Sequence, residues 1–421
     1  MRRLLAAAFL LIGCSNSHSD NADAGSAGSV DAALPADLAG GEVSTVYPAF
    51  KPEMPQLTNM GGPILNNPKL IAVTFPNDDL QKQIEDFTTK IGSSSYFSAV
   101  TAEYGISGAT AGTPIHLTEM APASIDDSAI ATWIQGKIDG TTPAWNKPDA
   151  NTLYLLFYPA ATTITMGGGT SCQDFGGYHI ETTLTDGSTV VYAVIPRCAP
   201  YNVGVLLTDI DMLTAAASHE IVEATEDPQP DIDPAFSELD SDHVAWTFSG
   251  GAEAGDLCAL DLSNFYKPTD LGYVVQRTYS NVAASAYHDP CVPAPTTDVY
   301  FNAVPVTTAD VDMGQIFSEN DTVTKGFMIA QGASATIEVD LLSDGPTTGP
   351  WTVNAENTAL GSGRAKANLT FAWDRTTGQN GEKLHLTVTV VGTSRFGFEL
   401  FTITSTLGKK SYTWNGVVQV Q

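Results

Sequence analysis

The stretch Ser218-His219-Glu220-Ile221-Val222-Glu223-Ala224-Thr225-Glu226-Asp227-Pro228 is the chain's densest grouping of residues able to do chemistry. It closes a run from Asp211 that is rich in strong helix formers and free of Gly and Pro until Pro228, which predicts a helix ending there. On that helix His219 and Glu223 project from one face, one turn apart. A neutral imidazole nitrogen and a carboxylate oxygen held this way can share a divalent cation, and Zn²⁺ accepts both donor types. Glu220 then stands beside the cation as a proton acceptor for a water molecule. The spacing is that of the H-E-x-x-H zinc helix, with Glu223 replacing the second His.

Two ligands do not complete a zinc site. The loop Gly250-Gly-Ala-Glu253-Ala-Gly-Asp256-Leu-Cys258 offers the missing groups. Glu253 is the expected third ligand, with Asp256 either an alternative ligand or a partner that orients His219; His243 is a further candidate. One His with two carboxylates leaves a tetrahedral position open. The competing reading is a capped helix end, with Glu223 and Asp227 in solvent and His219 in a structural hydrogen bond. The acidic run Asp227, Asp231, Asp233, Glu238, Asp240 and Asp242 suits calcium by ligand type, but its spacing is not that of the D-x-[DN]-x-[DN]-G loop. There is no G-x-S-x-G, and His179, His243 and His288 have no local nucleophile signature. Gly167-Gly-Gly-Thr170 lacks the Lys-Ser/Thr ending of a phosphate loop.

The elements that must position these groups begin after an export-like leader. Arg2 and Arg3 precede the apolar run Leu4–Ile12, which is too short to span a bilayer. Leu11-Ile12-Gly13-Cys14 has the form of a bacterial lipoprotein cleavage box, so residues 1–14 read as a signal and Cys14 as the lipid-bearing terminus, tethered to a membrane that Ser15 suggests is the outer one. An ordinary secretory signal is the alternative. Residues 15–57 are polar and without apolar periodicity, as in a flexible tether. The net charge of −28, with only 19 Lys and Arg, excludes a nucleic-acid partner, which needs clustered cations. The four remaining cysteines, Cys172, Cys198, Cys258 and Cys291, are an even number in an exported chain and point to disulfides. Of three connectivities the sequential pairs 172–198 and 258–291 are favoured, each worth about 3–4 kcal/mol in the chain-entropy estimate. A cysteine-ligated zinc has no C-x-x-C to support it.

The region 58–294 alternates strand-like and helix-like patterns. Lys69–Phe75, Leu153–Tyr158 and Val190–Ile195 are continuous apolar runs of buried-strand length. Leu80, Ile84, Phe87 and Ile91 form one helical face, and Ile130, Trp133, Ile134 and Ile138 another. That order predicts an α/β domain with a central sheet and the His219 helix packed on it. After the linker Pro293–Thr297 the pattern changes: residues 335–340, 367–371, 384–390, 398–403 and 417–420 alternate between turn residues, predicting an accessory β-sandwich over 298–421.

The motif Ala217–Pro228 resembles the helix of the plant Exordium (phosphate-induced) extracellular proteins and related bacterial secreted proteins. The pattern Cys172…Gly176-Gly-Tyr-His179…Tyr192-Ala-Val-Ile-Pro-Arg-Cys198 and the Glu253-Ala-Gly-Asp-Leu-Cys258 loop are also similar. The resemblance covers about residues 68–291 and implies a zincin-like domain in which His219, Glu220 and Glu223 match the helix motif. The expected function is zinc-dependent, peptidase-like hydrolysis of an extracellular peptide or amide bond, with His219, Glu223 and Glu253 as ligands and Glu220 as general base. The other expectation is a non-catalytic surface protein that binds or signals, its metal being structural.

Overall fold

The computed structural model describes residues 41–421 except 140–141, 143–144, 146–147, 200–206, 260, 317–321 and 359–367. Cys14, the leader and residues 15–40 therefore lie outside the described residues.

Three apolar runs form the centre of a six-stranded sheet: β1 (Lys69–Thr74), β2 (Thr152–Tyr158) and β4 (Thr189–Pro196), mutually parallel in the order β1-β2-β4. β3 (Tyr178–Thr183) closes one edge antiparallel to β4, from Tyr178 opposite Val194 to Thr183 opposite Thr189. The short strands Thr110–Ala111 and Ile115–His116 pair with β1 on the other edge. Strands buried on both faces need apolar side chains at every position rather than at alternate ones. β2 is buried throughout.

Successive side chains alternate across this sheet. Leu70, Leu153, Leu155, Val191 and Ala193 face α1 (Gln81–Ile91), α2 (Ser95–Thr101) and α4 (Asp209–Glu226). Ile71, Val73, Tyr154, Leu156, Tyr192 and Val194 face α3 (Asp127–Ile138) through Ile130, Ile134 and Ile138. The result is a three-layer arrangement with α4 on the more populated face.

α4 starts on a capping box: the Thr208 hydroxyl and the Asp211 carboxylate satisfy each other's backbone N–H groups. From Leu213 to Glu226 every residue is buried, which explains the long run of Ala and other small residues. Both favoured disulfides are present, Cys172–Cys198 and Cys258–Cys291.

The C-terminal part is a pair of sheets. Strands β5 (Phe301–Pro305), β8 (Ser334–Ser343), β11 (Lys383–Val390) and β10 (Leu369–Trp373) form one in that order. The other runs β6 (Ala309–Asp312), β7 (Val323–Ile329), β13 (Lys410–Val420), β12 (Phe398–Leu407) and β9 (Trp351–Thr358), with Thr377–Gly378 at its edge. Leu341, Leu386 and Val388 of the first sheet meet Phe327, Val353, Phe401 and Ile403 of the second in one core. Phe371 and Phe401 lie 6.0 Å apart across it. The sandwich expectation is met, and over the described residues strand outweighs helix. β5, β6, β7 and β9 lie outside the alternating runs legible in the sequence.

The tether boundary differs from expectation. Residues 44–58 are held by both parts of the molecule: Asn380 binds Ser44, Val46 and Ala49 through its side chain, and Leu57–Thr58 pairs with Glu238–Leu239. Hydrogen bonds to a distant Asn and to a strand supply order that composition alone does not reveal. The segment Ser241–Ser249 then seats against the sandwich, with Trp246 and His243 edge-on to Trp414 at 5.3 and 5.7 Å. Trp414→Ala is expected to cost about 3–5 kcal/mol, read as a lowered midpoint in urea unfolding of the full chain.

Candidate metal centre

The site is assembled by four segments that the central sheet brings together. α4 supplies His219, Glu220 and Glu223; β3 supplies His179; the loop ending in Cys258 supplies Glu253 and Asp256; and the strand Val275–Gln276 supplies Gln276. The Cys258–Cys291 bond ties that loop to the strand pair Tyr279–Cys291.

His219 Nε2 lies 3.0 Å from Glu223 Oε2 and 3.7 Å from Asp256 Oδ1. The other ring nitrogen faces Gln276 Oε1 at 3.2 Å. Gln276 donates its Nε2–H to Gly255 O at 2.6 Å, so its carbonyl oxygen is the group turned to His219. His219 Nδ1–H therefore donates, and Nε2 faces the carboxylates, carrying a proton in the charged ring and a lone pair once that proton leaves. This is the tautomer a metal-binding His needs, set by its outer partner.

His179 sits in the same pocket. Its Nδ1 is 3.4 Å from Glu220 Oε2 and 3.8 Å from Glu223 Oε2. Its Nε2 is 3.1 Å from the Asp227 carbonyl and 3.4 Å from Glu253 Oε1. Two triads of metal-ligating groups result, His219–Glu223–Asp256 and His179–Glu220–Glu223, each with its ligand atoms within 4.8 Å of one another.

None of the seven residues His179, His219, Glu220, Glu223, Glu253, Asp256 and Gln276 is more than 5 % exposed. Both carboxylate oxygens of Asp256, and both of Glu226, are buried with no hydrogen-bond partner among the described residues. An uncompensated buried carboxylate is costly, so it either holds a proton or faces a cation. Accordingly, burial raises the Asp256 and Glu226 carboxyls well above the usual range, with Glu223 adding to both. Glu223 is raised to about 7 by burial, helped by Glu253 and opposed by His219. Asp227 is raised to about 6 by burial and Glu253. For His219 burial acts against the charged form, but Glu223, Glu220 and Asp256 outweigh it and lift the ring to about 10. Burial likewise opposes the charged form of His179, and Glu253, Glu220 and Glu223 hold it well above its ordinary value.

The donor set fits a divalent cation of the zinc type: imidazole nitrogen with carboxylate oxygens, and an orphaned buried carboxylate among them. The backbone is shaped for it. A Cβ at position 255 would lie 2.6 Å from His219 Nδ1 and 2.8 Å from Glu223 Oε1, so only Gly lets the loop approach. Glu223 Oε1 accepts the Asp256 N–H at 3.1 Å, which latches helix to loop.

The residues singled out from sequence are thus distributed unevenly. His219, Glu223 and Asp256 converge, and Glu220 lies beside them. Glu253 stands against His179 Nε2 and belongs to neither triad. His243 is not at the site: its Nδ1 is 2.8 Å from Asp240 and its ring packs on Trp414. In the acidic run, Asp227 is buried and accepts the Ala235 N–H, while Asp231, Asp233 and Glu238 are exposed. The residues missed were His179 and Gln276. His179 was visible only as the end of Gly176-Gly-Tyr-His, and nothing local marks Gln276.

No family model matches the chain, and no curated protein matches it. Parts of it are similar to solved structures. Domains 4 and 5 of the S-layer protein SbsC share 16 % identity over 38 % of this chain and 67 % of that one, with a TM-score of 0.17. The titin M3 domain shares 15 % over 23 % and 88 %, with a TM-score of 0.16. A family 123 glycoside hydrolase from Clostridium perfringens shares 11 % over 29 % and 27 %, with a TM-score of 0.20. Likenesses this weak set neither the fold nor the function of this chain.

Two predictions come from the geometry. A carboxyl or imidazole whose pKa is raised on folding binds its proton more tightly in the folded state. Its stabilising contribution is full below the unfolded value and is lost as pH rises through the folded one. From Asp227 and Glu223 the window runs from about pH 4 to about 7, and His219 extends it toward 10. The Tm of metal-free protein is therefore expected to fall from pH 4 to 8, and added zinc to stabilise more at the upper end, since its ligands must be deprotonated; calorimetry across that range checks both. Gly255→Ala is expected to weaken zinc affinity at least tenfold, the order found when groups supporting a metal are disturbed, as measured by competition with a chromophoric chelator.

Proposed function

We propose that this chain is an exported, zinc-binding hydrolase of peptidase type, built on a zincin-like domain with an H-E-x-x-E helix and related to the Exordium-like extracellular proteins. The observation that carries the reading is the convergence of His219, Glu223 and Asp256 within 4.8 Å, with His219 Nε2 turned inward by Gln276. Glu253, expected as third ligand, is better cast as the group behind His179, and Asp256 takes the ligand role. The two disulfides support an oxidising compartment, and no helix of the described residues is long and apolar enough to cross a membrane. Attachment through a lipid on Cys14 is the proposed location.

A zinc ion bound at this centre supplies a Lewis acid for a carbonyl oxygen. The chain's own residues supply the rest. Glu220 takes the proton of the attacking water and passes it to the leaving amine. His179 Nδ1, 3.4 Å from Glu220 Oε2, holds that carboxylate in place. Gly177 gives it room: a Cβ there would lie 2.7 Å from Glu220 Oε1. The substrate class is an extracellular peptide or amide.

The burial of Glu220, 1 % exposed, favours a second reading, a non-catalytic surface protein with a structural metal that binds an extracellular ligand or signals. Calcium remains the alternative cation for an oxygen-rich pocket. Metal analysis and peptide-library cleavage by the full chain separate these. The hydrolase reading expects zinc in the purified protein and cleavage that drops by about 10²–10⁴-fold in Glu220→Gln, with the His219 centre still loaded. His219→Ala is expected to lose both. Zinc with no cleavage by the unaltered protein selects the structural reading; no metal uptake rejects both.

A further inference from the structure

We propose that the pocket holds two divalent cations, not one. The second lies between His179, Glu220 and Glu223, and Glu223 Oε2 is common to both positions. This rests on the reading of α4 as a metal-holding helix and extends it.

The His179 ring is turned into the pocket. Its Nε2 faces two acceptors, the Asp227 carbonyl at 3.1 Å and Glu253 Oε1 at 3.4 Å, so the N–H belongs there. That leaves Nδ1 against Glu220 Oε2 and Glu223 Oε2 at 3.4 and 3.8 Å, with a second proton when the ring is charged and a lone pair when it is neutral. In the neutral ring three acceptors are then aimed at one another, and a cation between them takes the place of the lost proton. The ligands of an ion at about 2.1 Å lie no more than about 4.2 Å apart, and both separations fall inside that span. The Asp227 carbonyl plays for His179 the part that Gln276 plays for His219: each takes the outer proton and turns the inner nitrogen toward Glu223 Oε2.

The charge of the pocket points the same way. Glu220, Glu223, Glu226, Asp227, Glu253 and Asp256 are all buried. Among the described residues none has a Lys or Arg ion-pair partner. With all six ionised, one divalent cation offsets two of the six charges and two cations offset four. Glu253 Oε1 is itself buried without a hydrogen-bond partner, which places unbalanced negative charge on the His179 side as well as the Asp256 side. With the second position filled, Glu220 is a ligand and no longer a free proton acceptor, so loading of that position switches the proposed hydrolysis down.

The test is zinc stoichiometry of the full chain by equilibrium dialysis and elemental analysis. Two equivalents per chain are expected, and one in His179→Ala. One equivalent in the unaltered protein, or two retained in His179→Ala, overturns the second position. A single equivalent that survives His179→Ala but is lost in His219→Ala leaves the hydrolase reading standing, whereas no zinc at all removes both. Should His179→Ala not fold, Co²⁺ titration of the unaltered chain followed by its visible absorption decides: the endpoint is expected at two equivalents, and an endpoint at one overturns the proposal.

Discussion

Six buried carboxyl groups face two imidazoles in a pocket where the described residues place no Lys or Arg partner. Removing a carboxylate from water without compensation costs several kcal/mol, and the rest of the N-terminal part is arranged so that compensation is concentrated at one point. Both rings are turned by outer acceptors toward Glu223. The backbone of Asp256 clamps the other oxygen of the same carboxylate. Protons stabilise such a pocket at low pH, and on the proposed reading a metal does so at higher pH, the two being linked because the same atoms would bind either.

That requirement accounts for the scaffold around it. α4 is buried along nearly its whole length because it must carry three of the charged groups into the interior, and its neighbours are small residues that let β3, the central sheet and the Glu253–Asp256 loop close on it. Gly177 and Gly255 stand where a side chain would strike Glu220 or His219. The disulfide from Cys258 secures the loop at the end nearest Asp256. Here the constraint on the fold and the constraint on the chemistry are the same one.

Much of this could be read from the chain. The continuous apolar runs of β1, β2 and β4 announced a sheet covered on both faces, and the spacing of His219 and Glu223 announced two side chains meeting on one helix face, where they lie 3.0 Å apart. Local pattern failed where the partner is remote in sequence. His179 lies 40 residues before His219 on an edge strand, in a context with no metal-binding spacing, and becomes a site residue only through the register of β3 with β4. Glu253 and Asp256 are three residues apart in one loop, so sequence could nominate both but not say which one reaches His219. The order of residues 44–58 was illegible for the same reason: it depends on Asn380, more than 300 positions away.

The sandwich contributes to the centre only indirectly, through the route by which its contacts reach α4. Trp414 packs on the 241–249 segment, and the Asp240 N–H donates to the Gln56 carbonyl while Asp240 Oδ2 accepts the Gln56 N–H. The Leu57 N–H then donates to Asn281, beside the Ser280 and Tyr279 backbone that carries the Cys291 pairing. Tyr279 N–H donates to the Ala254 carbonyl, inside the loop that presents Asp256. Each step is a hydrogen bond or ring contact between buried or half-buried groups, so a shift of the sandwich is resisted at the ligand loop rather than absorbed on the way. A metal centre whose third ligand comes from a loop needs such outside bracing, because a carboxylate displaced by 1 Å no longer shares an ion with His219. On the proposed reading, the accessory sheets are thus part of what would make a loop residue serviceable as a ligand.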